Sequence, residues 1–281
     1  MTDATAIPGF EERFAETKGC RLRYFVGGRA KGAPLVLLHG LGGCAANWVD
    51  VAPLLSEARR VLIPELPGHG LSTPLPAVPN LAVFADRVRV VAEREGMLPA
   101  AFVGHSLGGI VALGLALRQP DDVNALVLAA GAGISSTTRR ARYSLRILGI
   151  IGPRRFVAPW ADSVADHAFL RYAVFGRWGA ADPLILSREA VDGFLEGTRL
   201  TSDSVSAARA VVVDDVRPDL HELRCPTLVL WGARDNQLPL ADGFEFARRL
   251  EAPLRVIADC GHLLIGERPD LCAEAIENFV G

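Results

Sequence analysis

Residues Phe102–Leu113 read FVGHSLGGIVAL. An apolar run enters a cluster of small residues, one hydroxyl stands at its centre, and a second apolar run leaves. The pattern is that of a strand passing abruptly into a helix, with Ser106 at the corner. Such a corner forces its central residue into a strained conformation and lifts the side chain above the sheet. Glycines on either side, here Gly104 and Gly108, let neighbouring backbones approach without clashes. The corner also lies at a helix N-terminus, where free N–H groups and the dipole favour developing negative charge. A plain turn that happens to hold a serine would read the same over five residues, so partners elsewhere in the chain must decide.

Outward from this corner, short apolar runs alternate with amphipathic stretches. PLVLLHG (Pro34–Gly40), RRVLIPELPG (Arg59–Gly68), AAFVGHS (Ala100–Ser106), VNALVLAAG (Val123–Gly131), PTLVLWG (Pro226–Gly232) and LRVIADCG (Leu254–Gly261) each end in glycine or at the corner serine. Being apolar on both faces, they read as interior strands of a mostly parallel sheet covered on both sides. NLAVFADRVRVVAEREG, LGGIVALGLALRQP and RPDLCAEAIENFVG carry helical spacing between them. This alternation predicts a doubly wound α/β sheet. The rhythm stops between residues 134 and 215, where arginine-rich and aromatic stretches read as several short helices. The expected organisation is a core formed by 1–133 and 216–281, with 134–215 as a helical cap inserted after the fourth of these strands. The proline-rich STPLPAVPN (Ser72–Asn80) reads as a surface loop.

Composition narrows the classes. The chain has 281 residues, of which 50% are hydrophobic and 22% charged, with a net charge of −2. That is the profile of a soluble globular protein, and it gives no general reason to expect nucleic acid or an anionic membrane as partner. Five scattered cysteines with no C-x-x-C pair argue for a reducing compartment and against a disulfide framework or a zinc site. No histidine pairs with another ligand at metal spacing, so neither a metal nor another cofactor is expected. The start MTDATAIPGFEERF lacks a basic segment followed by an apolar run, and no signal peptide is expected. The apolar runs fall short of the roughly 18 residues that a membrane span needs. A cytoplasmic protein is the expectation.

A serine hydroxyl is a poor nucleophile at neutral pH and needs a base, which in turn needs an orienting acid. His262 follows the strand LRVIADCG, and Asp235 follows PTLVLWG in GARDNQLP. Both therefore fall on the sheet edge that carries Ser106. Asp259 is an alternative acid, but it lies three residues before His262 on the same strand end and is poorly placed to face Nδ1. The order Ser106, Asp235, His262 is the order this mechanism takes on a strand–corner–helix scaffold.

Together, LLHGLGG, PELPGHGLS, GHSLGG, LWGARDNQLP and DCGHLLIGERP make the chain resemble the α/β-hydrolase superfamily from about Tyr24 onward. The resemblance implies a central sheet of about eight strands, a variable cap and hydrolysis through an acyl-serine; it does not imply a substrate. Carried over residue by residue, it makes Ser106 the nucleophile, His262 the general base and acid, and Asp235 its orienter. The backbone N–H groups of Leu41 and Leu107 become the oxyanion hole. Gly40, Trp48, His105, Leu238 and Leu263 become candidates for the pocket wall. His39 is expected to brace the oxyanion loop and His69 to support a turn, while Glu65 stands where the family more often has aspartate. Arg139, Arg140, Arg142, Arg146, Arg154 and Arg155 read either as a solvated basic face or as a docking surface for an anionic or carrier-bound acyl substrate. The resemblance favours a small-molecule ester of small or medium acyl groups. Rivals are C–C bond hydrolysis of dienoic diketo acids, perhydrolysis, and a slow or non-catalytic ligand receptor. The C–C hydrolases tend to carry Asn and Trp where this chain has His105 and Leu263. Epoxide hydrolases and haloalkane dehalogenases of this fold place an aspartate at the corner, against Ser106.

Overall fold

In the computed structural model, which describes residues 5–76, 79–135, 161–177 and 179–281, eight strands form a single sheet. In chain order they are β1 (Phe10–Thr17), β2 (Cys20–Gly28), β3 (Leu35–Leu38), β4 (Arg60–Pro64), β5 (Ala100–His105), β6 (Val123–Ala129), β7 (Thr227–Gly232) and β8 (Leu254–Ile257). Their spatial order is β1-β2-β4-β3-β5-β6-β7-β8. The six from β4 to β8 run parallel, and β2 joins β4 antiparallel. Every position of β3, β5 and β7 is buried, which is why these runs carry no polar alternation in the sequence. The helices are α1 (Ala52–Ser56), α2 (Leu81–Arg94), α3 (Leu107–Arg118), α4 (Ala161–Asp166), α5 (Ala168–Phe175), α6 (Arg188–Leu200), α7 (Ser204–Val213), α8 (Leu240–Leu250), α9 (Leu264–Glu267) and α10 (Pro269–Val280). Among the described residues none is long and apolar enough to cross a membrane.

The sheet includes a hairpin that the apolar-run reading did not contain. β1 and β2 pair antiparallel from Phe10↔Gly27 to Thr17↔Cys20, around a two-residue turn in which Gly19 takes φ 77°. Charge hides these strands. Arg13 donates to Glu95 at 2.7 Å, and Arg23, fully buried in β2, donates to Glu12 at 2.6 Å. Ion pairing lets charged residues occupy positions that hydrophobic periodicity assigns to apolar ones.

Between β6 and β7 the chain leaves the sheet, and helices α4 to α7 with a 3₁₀ turn at Arg217–Glu222 fill the excursion. No strand occurs there among the described residues. The arginine-rich stretch 136–160 lies outside them. α6 is capped by Ser187, whose hydroxyl accepts from Ala190 N, and α7 by Asp203, which accepts from Ser206 N. α6 meets the 3₁₀ turn Ala45–Trp48 backbone to backbone: a Cβ on Gly193 would lie 2.7 Å from Ala46 O, and one on Gly197 2.9 Å from Cys44 N. Just before α7, the N–H groups of Ser202 and Asp203 both donate to Gly68 O. The inserted helices are thus seated directly on loops at one edge of the sheet.

Candidate active site

Ser106 stands between β5 and α3 with φ 51° and ψ −111°. A non-glycine residue held there costs on the order of 1–3 kcal/mol, so the surroundings must fix it. Its N–H donates to Ala129 O and its carbonyl accepts from Ala132 N, both at 3.0 Å. The flanking glycines are required by contact. A Cβ on Gly104 would lie 2.3 Å from Gly108 O, and one on Gly108 would lie 2.3 Å from Leu38 O. The G-x-S-x-G spacing is therefore the footprint of α3 pressed onto β3 and β5.

Asp235 and His262 meet above the same edge. Asp235 Oδ1 accepts from the N–H groups of Gln237 and Leu238, each at 2.8 Å, while Oδ2 lies 2.8 Å from His262 Nδ1. The Asp235 side chain is wholly shielded from solvent. An acceptor on Nδ1 assigns the ring proton to that nitrogen and leaves the Nε2 lone pair free to take a proton. Asp259 does not compete: it is exposed, and its Oδ1 pairs with Arg234 at 2.7 Å.

The backbone of His262 is held on both sides. Its N–H donates to Gly179 O, and its carbonyl accepts from His105 Nε2 at 2.9 Å. The two imidazole rings lie 4.9 Å apart. Complete burial drives the His105 pKa down to about 3, so it acts as a neutral donor, with Nδ1 lacking a hydrogen-bond partner among the described residues. Gly40 closes over the pair: a Cβ there would sit 3.0 Å from His105 Nδ1 and 3.3 Å from Ser106 Cβ. Ser106, His105, Gly40 and His262 are therefore one contiguous cluster. No hydrogen bond joins Ser106 Oγ to His262 among the described residues, a link that commonly tightens only when substrate is present.

On the other side of the corner, Gly40 O accepts from Gly43 N at 3.1 Å and from His39 Nδ1 at 2.8 Å, while His39 Nε2 accepts from Leu66 N at 3.0 Å. These contacts fix a neutral tautomer. Burial, with the neighbouring His69 adding to it, pushes the His39 pKa down to about 3. Glu65 lies fully buried nearby, accepting from Ala45 N at 3.3 Å and Leu71 N at 2.7 Å, with Arg23 Nη1 3.5 Å away. Burial raises its carboxyl to about 7 against the pull of Arg23. The longer glutamate fits because Gly70 (φ 53°) has no side chain; a Cβ there would overlap the carboxylate. Leu107 opens α3, so its N–H has no partner within the helix. The half-exposed Leu41 follows Gly40 in the loop.

Of the other pocket candidates, Leu238 is half-buried, Leu263 is buried at the start of α9, and Trp48 is fully buried. Two participants escaped the sequence reading. Gly179 receives the His262 N–H, and the buried Glu267 accepts from Gly261 N at 3.0 Å. A carboxylate at the end of the otherwise apolar HLLIG run was the available signal for the latter. Among the described residues no group of three or more His, Cys, Asp or Glu side chains could hold a metal ion.

The model of the family described as "Alpha/beta hydrolase family" matches residues 35–275. This chain belongs to that family. Relatives of this chain carry different chemistries. It is 32% identical over 263 residues to a pimeloyl-(acyl-carrier protein) methyl ester esterase of Aromatoleum aromaticum, covering 88% of this chain and 97% of that protein. It is 30% identical over 265 residues to a 2-hydroxymuconate semialdehyde hydrolase of Pseudomonas sp. (strain CF600), covering 89% and 87%. It is also 30% identical over 256 residues to a dihydrolipoyllysine-residue acetyltransferase component of the acetoin cleaving system of Pseudomonas putida; that match takes 89% of this chain but spans only 64% of the relative. Among solved structures, the enol-lactonase of Burkholderia xenovorans LB400 superposes with a TM-score of 0.72 at 26% identity, covering 95% and 99% of the two chains.

Proposed function

We propose that this hydrolase cleaves carboxylic esters of small or medium acyl groups through an acyl-serine intermediate. The observation that carries the reading is the 2.8 Å Asp235–His262 contact, in a cluster that seats the imidazole on His105 beside the strained Ser106. In this reading His262 Nε2 takes the Ser106 proton as Oγ attacks the carbonyl. The tetrahedral oxyanion is received by the N–H groups of Leu41 and Leu107. His262 returns the proton to the leaving alcohol, and water repeats the cycle on the acyl-enzyme. Each N–H of such a hole contributes about 3 kcal/mol of transition-state stabilisation. Residues 134–215 serve as the cap over this site and set the acyl range. The esterase named above supports the ester reading, and its name makes a carrier-bound substrate the natural test for the cap arginines, which lie outside the described residues. Arg142→Glu with Arg146→Glu then raises KM for an anionic ester and spares a neutral one; equal effects on both remove the docking idea.

A second reading, C–C hydrolysis, draws on the 2-hydroxymuconate semialdehyde hydrolase relative. His105 and Leu263 stand against it. The deciding experiment is release of nitrophenolate from p-nitrophenyl acetate, butyrate and octanoate by wild type and Ser106→Ala. Turnover with a chain-length optimum, reduced about 10⁶-fold by the substitution, supports the ester reading. No turnover together with no labelling by a fluorophosphonate overturns Ser106 as nucleophile. Labelling without turnover moves the assignment to C–C hydrolysis or to the receptor reading.

A further inference from the structure

Glu267 closes α9, five residues after His262, and its side chain is buried. One carboxylate oxygen accepts from Gly261 N at 3.0 Å. The other accepts from Ala181 N at 2.7 Å and from Asp182 N at 3.3 Å. The first donor immediately precedes His262. The other two belong to the segment between β6 and β7. The same stretch of that segment reaches the site three more times: Gly179 O accepts the His262 N–H, Gly176 O accepts from Asn236 Nδ2 at 3.1 Å, and Arg177 O accepts from Gln237 Nε2 at 2.9 Å. Fit is tight as well as polar. A Cβ on Gly261 would lie 2.0 Å from Gly179 O, and one on Gly179 would lie 2.6 Å from His262 Cβ. Burial pushes the Glu267 carboxyl above its usual range, and the three N–H donors pull against that rise. A buried carboxylate is costly unless its lone pairs are met; here three backbone donors converge on it, and the neighbouring Arg268 adds a smaller pull.

We infer that Glu267 is a positioning residue that fastens the 179–182 turn of the inserted segment to the backbone at Gly261, directly before His262, so that the base is held in place only while that segment is seated. The inference rests on the proposed role of His262 as base, and it adds that cap and base form one mechanical unit. A carboxylate can accept on both arms at once. An amide can accept on only one, and turns its NH₂ toward donors on the other. Glu267→Gln therefore opens one side of the junction while keeping size and shape.

The test measures two things on wild type and Glu267→Gln. One is kcat and KM for p-nitrophenyl butyrate, corrected by active-site titration. The other is the titration of the His262 Cε1–H resonance, assigned by its loss in His262→Ala. The expected result is a kcat lowered by about 10²-fold, the scale of a roughly 1 Å misplacement. KM changes by less than about threefold, and the His262 titration midpoint is displaced. Ala181→Pro, which deletes the 2.7 Å donor and leaves the carboxylate intact, moves both readouts the same way and replaces Glu267→Gln if that variant does not fold. A melting temperature that falls while kcat per titrated site and the His262 resonance stay unchanged overturns the inference and leaves Glu267 a purely structural group. The resonance is present whatever the reaction, so a wild type inert toward esters counts against the ester reading alone.

Discussion

The two loops that flank Ser106 are held by the same kinds of group in different proportions. On the side of Leu41, two buried, neutral imidazoles lie 5.2 Å apart, His39 bridging Leu66 N and Gly40 O, and the buried Glu65 carboxyl accepts from Ala45 N and Leu71 N. On the side of His262, two carboxyl groups, Asp235 and Glu267, each accept from backbone N–H donors, and the neutral His105 ring donates to His262 O. The His262 ring is placed against one carboxyl, Asp235, and its neighbour Gly261 is held by another, Glu267.

The contrast can be broken most severely at Asp235. Asp235→Asn retains the turn but changes the partner of Nδ1, favouring the wrong tautomer, and kcat is expected to fall by about 10⁴-fold with little change in melting temperature. Steady-state kinetics with circular dichroism checks this; a loss below tenfold would remove Asp235 as the orienter.

The buried imidazoles of both sides are tested by pH. His39, His105 and His69 have folded-state pKa values lowered from 6.5 to about 3, 3 and 4 by burial. The unfolded chain thus binds more protons between these values and 6.5. The stability they support is full above pH 6.5 and is lost as pH falls toward 3. Glu65 acts in the opposite direction: its carboxyl is raised from 4.5 to about 7, so its contribution is full below pH 4.5 and is lost as pH rises to 7. Three groups outweigh one, and urea midpoints are expected to drop on acidification below pH 6.5. His69→Asn keeps a donor for Pro67 O, which accepts from Nδ1 at 3.0 Å, and deletes the ring nitrogen that has no partner among the described residues. It should be near-neutral at pH 8 and remove up to about 3 kcal/mol of the acid sensitivity. An unchanged pH slope would show that His69 does not titrate with folding.

The smallest effect is expected at Asp259. Its pair with Arg234 is exposed on both sides, and Asp259→Asn should alter stability by no more than about 0.5 kcal/mol while leaving kcat intact. Asparagine also tolerates the positive φ of 47° found there. A large loss of turnover would reopen the choice of acid.

Much of this was legible in one dimension because a parallel sheet buries its interior strands on both faces. Six strands, the corner at Ser106 and the strand ends carrying Asp235 and His262 all follow from apolar runs that stop at glycine. What was illegible depends on pairing across distance. β2 contains a buried arginine whose partners, Glu12 and Glu65, lie on other strands or at their ends. Glu267, in the stretch GERP, reads as an ordinary surface carboxylate until the turn at Ala181 is folded onto it. No local periodicity encodes a hydrogen bond to a backbone more than eighty residues away.

β6 and β7 are hydrogen-bonded neighbours, with Ala129 opposite Leu230, and the whole inserted segment leaves from one and returns to the other. Because the two strands run parallel, the chain leaves β6 at Ala129 and re-enters β7 at Thr227, opposite Leu126, so its two ends are fixed a strand's length apart by the register of the pair, whatever its length or content. Loop-closure entropy grows only by about 0.6 kcal/mol for each doubling of length. Heredity can lengthen, shorten or replace this excursion without disturbing the register of a single strand. The same junction offers a graft point where a foreign lid could be spliced in, provided it brings its own turn to meet Glu267.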